Sequence, residues 1–199
     1  MTLAESADET ELRDRLDQIL RATPLLMRVL ETARAIDLPD WMVFSGAVYQ
    51  PVLNHLTGRP LDYGIKDYDL GYFDASDISY EAEDIVIRRV ADVFDEPLKR
   101  LVEVRNQARV HVWFEGKFGE AYTALSCTAE AIARFETTLN AVGVRLEADG
   151  RLRIEAPFGL EDLFALRLRR NPRRRIANFE RGAARLLARW PGLRIVGDA

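Results

Sequence analysis

Apolar residues recur at helical spacing from Glu9 to Asp37: Leu12, Leu16, Ile19, Leu20, Leu26, Val29, Leu30 and Ala33 form one stripe, which predicts a long helix. Pro24 falls inside it. Proline lacks an N–H and clashes with the preceding turn, so a break or kink is expected there. Leu38-Pro39-Asp40 reads as a turn and Trp41-Met42-Val43-Phe44 as a short buried strand. Ser45-Gly46 opens a helix from Ala47 to Leu56, which Gly58 and Pro60 close. A loop through Asp62, Tyr63 and Gly64 leads to a strand from Lys66 to Phe73. Ser79 to Val93 is a further helix, with Ile85, Val86, Val90 and Val93 on one face, and Leu101 to Val104 is a third strand.

In the second half, Ala129 to Leu139 reads as a helix capped by Ser126 or Thr128. Val142 to Leu146 and Leu152 to Ile154 flank Asp149-Gly150, a strong hairpin signal. Leu160 to Leu168 and Phe179 to Trp190 read as helices. No repeat or linker interrupts the chain, so one domain over residues 1–199 is expected, with a core at about 10–115 and a hairpin with helices at about 119–199. The order predicts an α+β fold: a mixed β-sheet flanked by helices, with a β-hairpin and a helical C-terminal extension.

Composition narrows the class. With 48% apolar and 30% charged residues in 199, the chain can bury a core, and disordered or disulfide-scaffold readings are excluded. The longest apolar run, Trp41 to Val48, is too short to span a bilayer, so no membrane partner is expected. An acidic segment from Ala4 to Glu9 argues against a secretory signal, and the single Cys127 fits a reducing cytoplasm. The net charge of −4 conceals an asymmetry: residues 151–199 hold 12 Arg against 5 acidic residues. Such a segment either meets phosphates or nucleic acid, or packs on the acidic remainder.

The chemistry-bearing residues are carboxylates. The chain has no glycine-rich dinucleotide loop, Walker A loop, nucleophile elbow or Cys pair, and only two histidines, His55 and His111. Asp67 and Asp69 stand two apart on a predicted strand, so both point to the same side, about 7 Å apart at Cα. Such a pair holds one or two Mg²⁺ (or Mn²⁺) ions during phosphoryl or nucleotidyl transfer, or else marks an exposed strand end. Upstream, Ser45-Gly46 joins a strand to a helix N-terminus, where free N–H groups and the dipole favour phosphate; a simple cap and turn is the alternative. Downstream, Glu103 lies on the third strand, where a third metal ligand or a base would be needed, or where an edge charge meets solvent.

Taken together, these segments resemble the nucleotidyltransferase superfamily of DNA polymerase β. CCA-adding enzymes carry G-G-x-V-R-D-x-L-L-G before D-x-D. A bacterial nucleotidyltransferase-like family matches more closely, with G-A-V-R-N, D-[IVL]-D-[VL]-x-[YF]-[FY]-D, N-Q-A-R-x-H and P-F-G-L-x-D-L-F. Here these read Gly46-Ala47-Val48-Tyr49-Gln50, Asp67-Tyr68-Asp69-Leu70-Gly71-Tyr72-Phe73-Asp74, Asn106-Gln107-Ala108-Arg109-Val110-His111 and Pro157-Phe158-Gly159-Leu160-Glu161-Asp162-Leu163-Phe164. The resemblance spans about residues 15–195 and implies transfer of NMP from an NTP to an acceptor of unknown class: protein, small molecule or RNA. In it, Asp67, Asp69 and Glu103 are the catalytic carboxylates, the two aspartates hold the metal, and Ser45, Gly46, Lys66, Gln107 and Arg109 bind nucleotide.

Two departures bear on that expectation. Tyr49 stands where the family has Arg, and a phenol cannot replace a guanidinium on phosphate. Lys66, Arg109 or the stretch from Arg169 to Arg175 would then have to supply the charge. Tyr68 replaces an aliphatic residue between the aspartates. A second reading therefore stands beside the first, a fold of this kind that binds nucleotide or regulates without transfer. The basic C-terminal segment supports a third, RNA binding. Asn106 and His111 read either as cleft residues or as a buried hydrogen-bond network, and His55 reads as structural.

Overall fold

The structure is a computed structural model and describes residues 8–173 and 179–197. The predicted first helix is two: α1 (Glu9–Arg21) and α2 (Pro24–Ile36). Pro24 opens the second at a position where a missing N–H costs nothing, and the Thr23 hydroxyl donates to the Ile19 carbonyl at 3.0 Å across the junction. Strand β1 (Met42–Phe44) runs into α3 (Gly46–Leu56), whose residues from Gly46 to Asn54 are buried. Strand β2 (Tyr68–Tyr72) is followed by α4 (Tyr80–Ala91), a short α5 (Leu98–Leu101) and β3 (Val102–Asn106). A 3₁₀ turn, Gln107–Arg109, leads into α6 (Val110–Phe118), and α7 (Thr128–Ile132) precedes the hairpin of β4 (Gly143–Leu146) and β5 (Leu152–Glu155). The chain closes with α8 (Glu161–Phe164), β6 (Arg167–Leu168), α9 (Phe179–Arg189) and β7 (Arg194–Ile195).

The five-stranded sheet has the order β3-β2-β1-β4-β5, with β2 and β3 parallel and the other pairs antiparallel. The α+β class is as expected. The parallel pair needs a crossover, and α4 supplies it. Residues at alternate positions, such as Val43, Tyr68, Leu70, Val104 and Val144, face the main core built by α1, α2 and α3. The opposite side carries a smaller cluster of Met42, Phe44, Ile132 and Ala141 under α7. Three expectations differ from the structure. The helix expected from Leu160 to Leu168 ends at Phe164, because Leu166 takes a left-handed φ of 55° and Arg167–Leu168 pair as a strand with Arg194–Ile195. The helix expected from Ala129 to Leu139 stops at Ile132. Helix α6 was not anticipated, since its apolar residues lie all round it and leave no stripe to detect.

Candidate functional site

The site grows from pairing register. Phe44 of β1 lies opposite Asp69 of β2, and Asp69 lies opposite Glu103 of β3. Phe44, Asp69 and Glu103 therefore point to the same side of the sheet, away from the main core, and Asp67 joins them just before β2. Among the described residues neither Asp67 nor Asp69 has a hydrogen-bond or ion-pair partner. Burial pushes the Asp69 carboxyl from the usual carboxylate range up to about 7, and the charges of Asp67 and Glu103 add to it, against a smaller opposing pull from Arg105. Glu103 is half exposed and reaches Arg105, 3.8 Å away. Glu103 stands opposite Asp69 on the neighbouring strand, and no group of three His, Cys, Asp or Glu side chains among the described residues is arranged to hold a metal ion.

The strand-to-helix junction adds a second element. Ser45 has φ 62° and ψ −133°, a backbone region that costs a non-glycine residue about 1–3 kcal/mol and that concentrates at functional sites. Its carbonyl accepts from Val48 and Tyr49, and its side chain makes no cap bond, so the first N–H groups of α3 have no side-chain cap. Gly46 leaves room for Gln50: a Cβ there would sit 2.7 Å from Gln50 Nε2. Helix α3 is buried and eleven residues long, so its positive end is presented by a rigid element.

A family model described as nucleotidyltransferase matches residues 31–195. The chain belongs to this nucleotidyltransferase family. A solved NMR structure, described as revealing a CCA-adding enzyme head domain, matches with a TM-score of 0.74 at 21% identity, over 92% of this chain and 95% of that one. Among curated proteins nothing matches.

In this nucleotidyltransferase the position that carries Tyr49 is buried, 8% exposed and part of the main core. Burial raises the phenol above its ordinary value; the Gln50 hydrogen bond and the Arg189 charge oppose this, and Asp67 and Asp69 reinforce it. The same groups therefore surround one point: the start of α3, the two aspartates and the end of α9. Arg189 Nη1 donates to the Gly64 carbonyl at 3.0 Å and to Gln50 Oε1 at 3.4 Å. Neither Arg189 nor Gln50 stood out in the sequence. The only available signal was Arg189 next to Trp190, a core tryptophan that donates to Asn54 Oδ1 at 2.9 Å and so fixes where α9 docks.

The N-Q-A-R-x-H block divides. Gln107 shares the carboxylate side, its Nε2 3.2 Å from where a Gly71 Cβ would lie. Arg109 does not. Its guanidinium is buried against Glu83, pairs with that carboxylate, and donates from Nε to the Ile78 carbonyl at 3.1 Å. Asn106, 2% exposed, ties β3 to the end of β2 through Asp74: Nδ2 donates to the Asp74 carbonyl at 2.8 Å, and Oδ1 accepts from the Asp74 N–H at 3.1 Å. His111 Nδ1 is buried without a partner among the described residues, and His55 is exposed. Lys66 is exposed beside Asp67. The arginine stretch is largely paired within the chain: Arg167 and Arg169 with Asp162, Arg170 with Glu180, and Arg173 over the Phe158 ring. Arg174 and Arg175 lie outside the described residues. No helix among the described residues is long and apolar enough to cross a membrane.

Proposed function

We propose that this chain transfers NMP from an NTP to an acceptor hydroxyl, with Asp67 and Asp69 holding Mg²⁺ (or Mn²⁺). The observation that carries this reading is the pair of unpartnered aspartates, one driven to about 7, beside the strained Ser45 junction. Two half-buried, mutually repelling carboxylates without an ion-pair partner among the described residues would suit a divalent ion. Bound there, such an ion neutralises charge on the phosphate oxygens as the reaction proceeds.

The chain's own residues supply the rest. The triphosphate lies against the N–H groups of Gly46 and Ala47, with Ser45 nearby and the helix dipole behind it. Arg189 supplies the guanidinium that position 49 lacks. Only its Nη1 is used among the described residues, which leaves Nε and Nη2 as donors. The acceptor oxygen attacks the α-phosphorus, the bond to the bridging oxygen of the β-phosphate breaks, and pyrophosphate leaves. Glu103, half exposed beside Asp69, takes the acceptor's proton. Arg109 braces β3 through Glu83 rather than touching substrate.

The test is incubation with each α-labelled NTP, Mg²⁺ or Mn²⁺ and candidate acceptors, with Asp67→Asn and Asp69→Asn as controls. Metal-dependent label transfer by the wild type alone supports the proposal. The buried Tyr49 phenol favours one alternative, a nucleotide-binding module without transfer: NTP binding that survives while no acceptor is labelled would select it. Salt-sensitive RNA binding that persists in both variants would instead favour the basic C-terminal segment.

A further inference from the structure

The carboxylate side of the sheet continues past Gly71 into a cavity of about 180 Å³, room for about six waters at their liquid volume. Its walls are rings: Phe44, Trp113, Phe114, Tyr122 and Phe135. Phe114 and Tyr122 lie 4.5 Å apart at their centroids, and Phe44 and Phe135 5.6 Å. The cavity and the aspartates are parts of one surface. Phe44 is the register partner of Asp69, and Arg105, also in the lining, is the partner of Gly71, two positions farther along β2. That places the cavity about 7 Å from Asp69 along the strand.

Three polar side chains share the lining: Arg105, Gln107 and Arg134, whose guanidinium lies over the Tyr122 ring at 4.9 Å. Gln107 is 6% exposed and gives one amide hydrogen to the Arg105 carbonyl at 3.2 Å. Its Oε1 takes no hydrogen bond from the described residues and is not sealed from solvent, so it is open to a ligand. An amide with an open acceptor and a spare donor can pair with the edge of a ligand seated in the cavity. The matching occupant is flat, aromatic and edged with both donors and acceptors, which is the chemistry of a nucleobase. An alkyl chain would leave Gln107 and the two arginines unmet, and a phosphate alone would make no use of the ring faces.

We propose that this cavity is the base subsite. It takes the nucleobase of the nucleotide whose phosphates lie at the start of α3, with Gln107 reading the base edge and the rings stacking on its faces. The inference rests on the transfer reading for the phosphates, yet the subsite can be tested without it. Of the three tryptophans only Trp113 lines the cavity, while Trp41 and Trp190 are 1% and 0% exposed in the main core, so a ligand in the cavity contacts Trp113 alone.

The experiment titrates the full chain with Mg²⁺ and, separately, ATP, GTP, CTP, UTP, the four free nucleosides and inorganic tripolyphosphate, following tryptophan emission and calorimetric heat. Quenching by at least one NTP and its nucleoside, absent with tripolyphosphate and in Trp113→Phe, is the expected result. Gln107→Leu and Phe114→Ala should weaken that NTP about tenfold and leave tripolyphosphate unchanged. Gln107→Glu, which keeps the shape, should change which base is preferred, and circular dichroism checks each variant's fold. NTP binding with no quenching, equal to tripolyphosphate and blind to Gln107, overturns the subsite while the phosphate site stands. Quenching by nucleosides without any triphosphate binding keeps the subsite and overturns the transfer reading.

Discussion

Arg189, at the end of the last helix, donates to Gln50 at 3.4 Å, and Gln50 in turn lies against Gly46 at the start of α3. A residue near the C-terminus is thereby fastened to the junction where the first strand becomes a helix. Replacing Arg189 with Met removes the cation but keeps the stem that packs there. Loss of charge-assisted bonds to a triphosphate should raise the KM for NTP by about tenfold or more. Arg189→Lys should recover only part, since an ammonium lacks the planar fork. Steady-state kinetics, or tripolyphosphate calorimetry, checks this. Equal affinities in wild type and Arg189→Met would remove Arg189 from the phosphate site.

Asp69 makes a signed prediction about pH. Its folded value of about 7 lies above the ordinary carboxylate value of 3.8, so the folded state holds the proton more tightly than the unfolded chain. Stability from this group is complete below about pH 4 and is lost as pH rises through 7. Asp69→Asn removes that loss and should raise Tm by about 2–4 °C at pH 8 without metal, with little effect at pH 4. Mg²⁺ should stabilise the wild type more at pH 8 than at pH 6, because at lower pH it must displace a proton. Thermal melts across pH with EDTA or Mg²⁺ measure both.

Gly71 is needed for the placement of Phe44. A Cβ at 71 would lie 2.4 Å from Phe44 Cε1, in a sheet with little freedom to move. Gly71→Val should destabilise by about 1–3 kcal/mol through overpacking. Adding Phe44→Ala should relieve part of the strain, and a double-mutant cycle from urea unfolding would show the coupling. Additive effects would place the ring elsewhere.

The Glu83–Arg109 pair should behave as a brace. Both side chains are buried, and Glu83 also accepts the Asn106 N–H at 2.8 Å. Arg109→Met leaves an unpaired buried carboxylate and should cost about 3–5 kcal/mol, whereas Glu83→Gln/Arg109→Met should cost much less. If Arg109 held phosphate, the double variant would fold well yet lose NTP affinity. Retained affinity in that variant supports the bracing role.

Much of this was readable from local pattern. The alternation around Asp67 and Asp69, the apolar run ending at Phe44, the Ser45-Gly46 junction and the Asp149-Gly150 hairpin are written in neighbouring residues, and the strands and helices they predict are found, with boundaries moved by one or two positions. Other features depended on partners distant in sequence. Arg109 reads as a phosphate ligand until Glu83, 26 residues earlier, is seen to take its charge. The helix expected through Leu168 gives way because β7, near the chain end, offers a strand partner.

Local sequence determined which segments became strands and helices and where paired carboxylates would stand, because side-chain periodicity and turn chemistry act over a few residues. Tertiary structure alone decided which carboxylates stayed without partners, which arginine reached the start of α3 and which rings closed around Gln107. Charge compensation and cavity shape arise between elements, and chain spacing does not encode which elements meet.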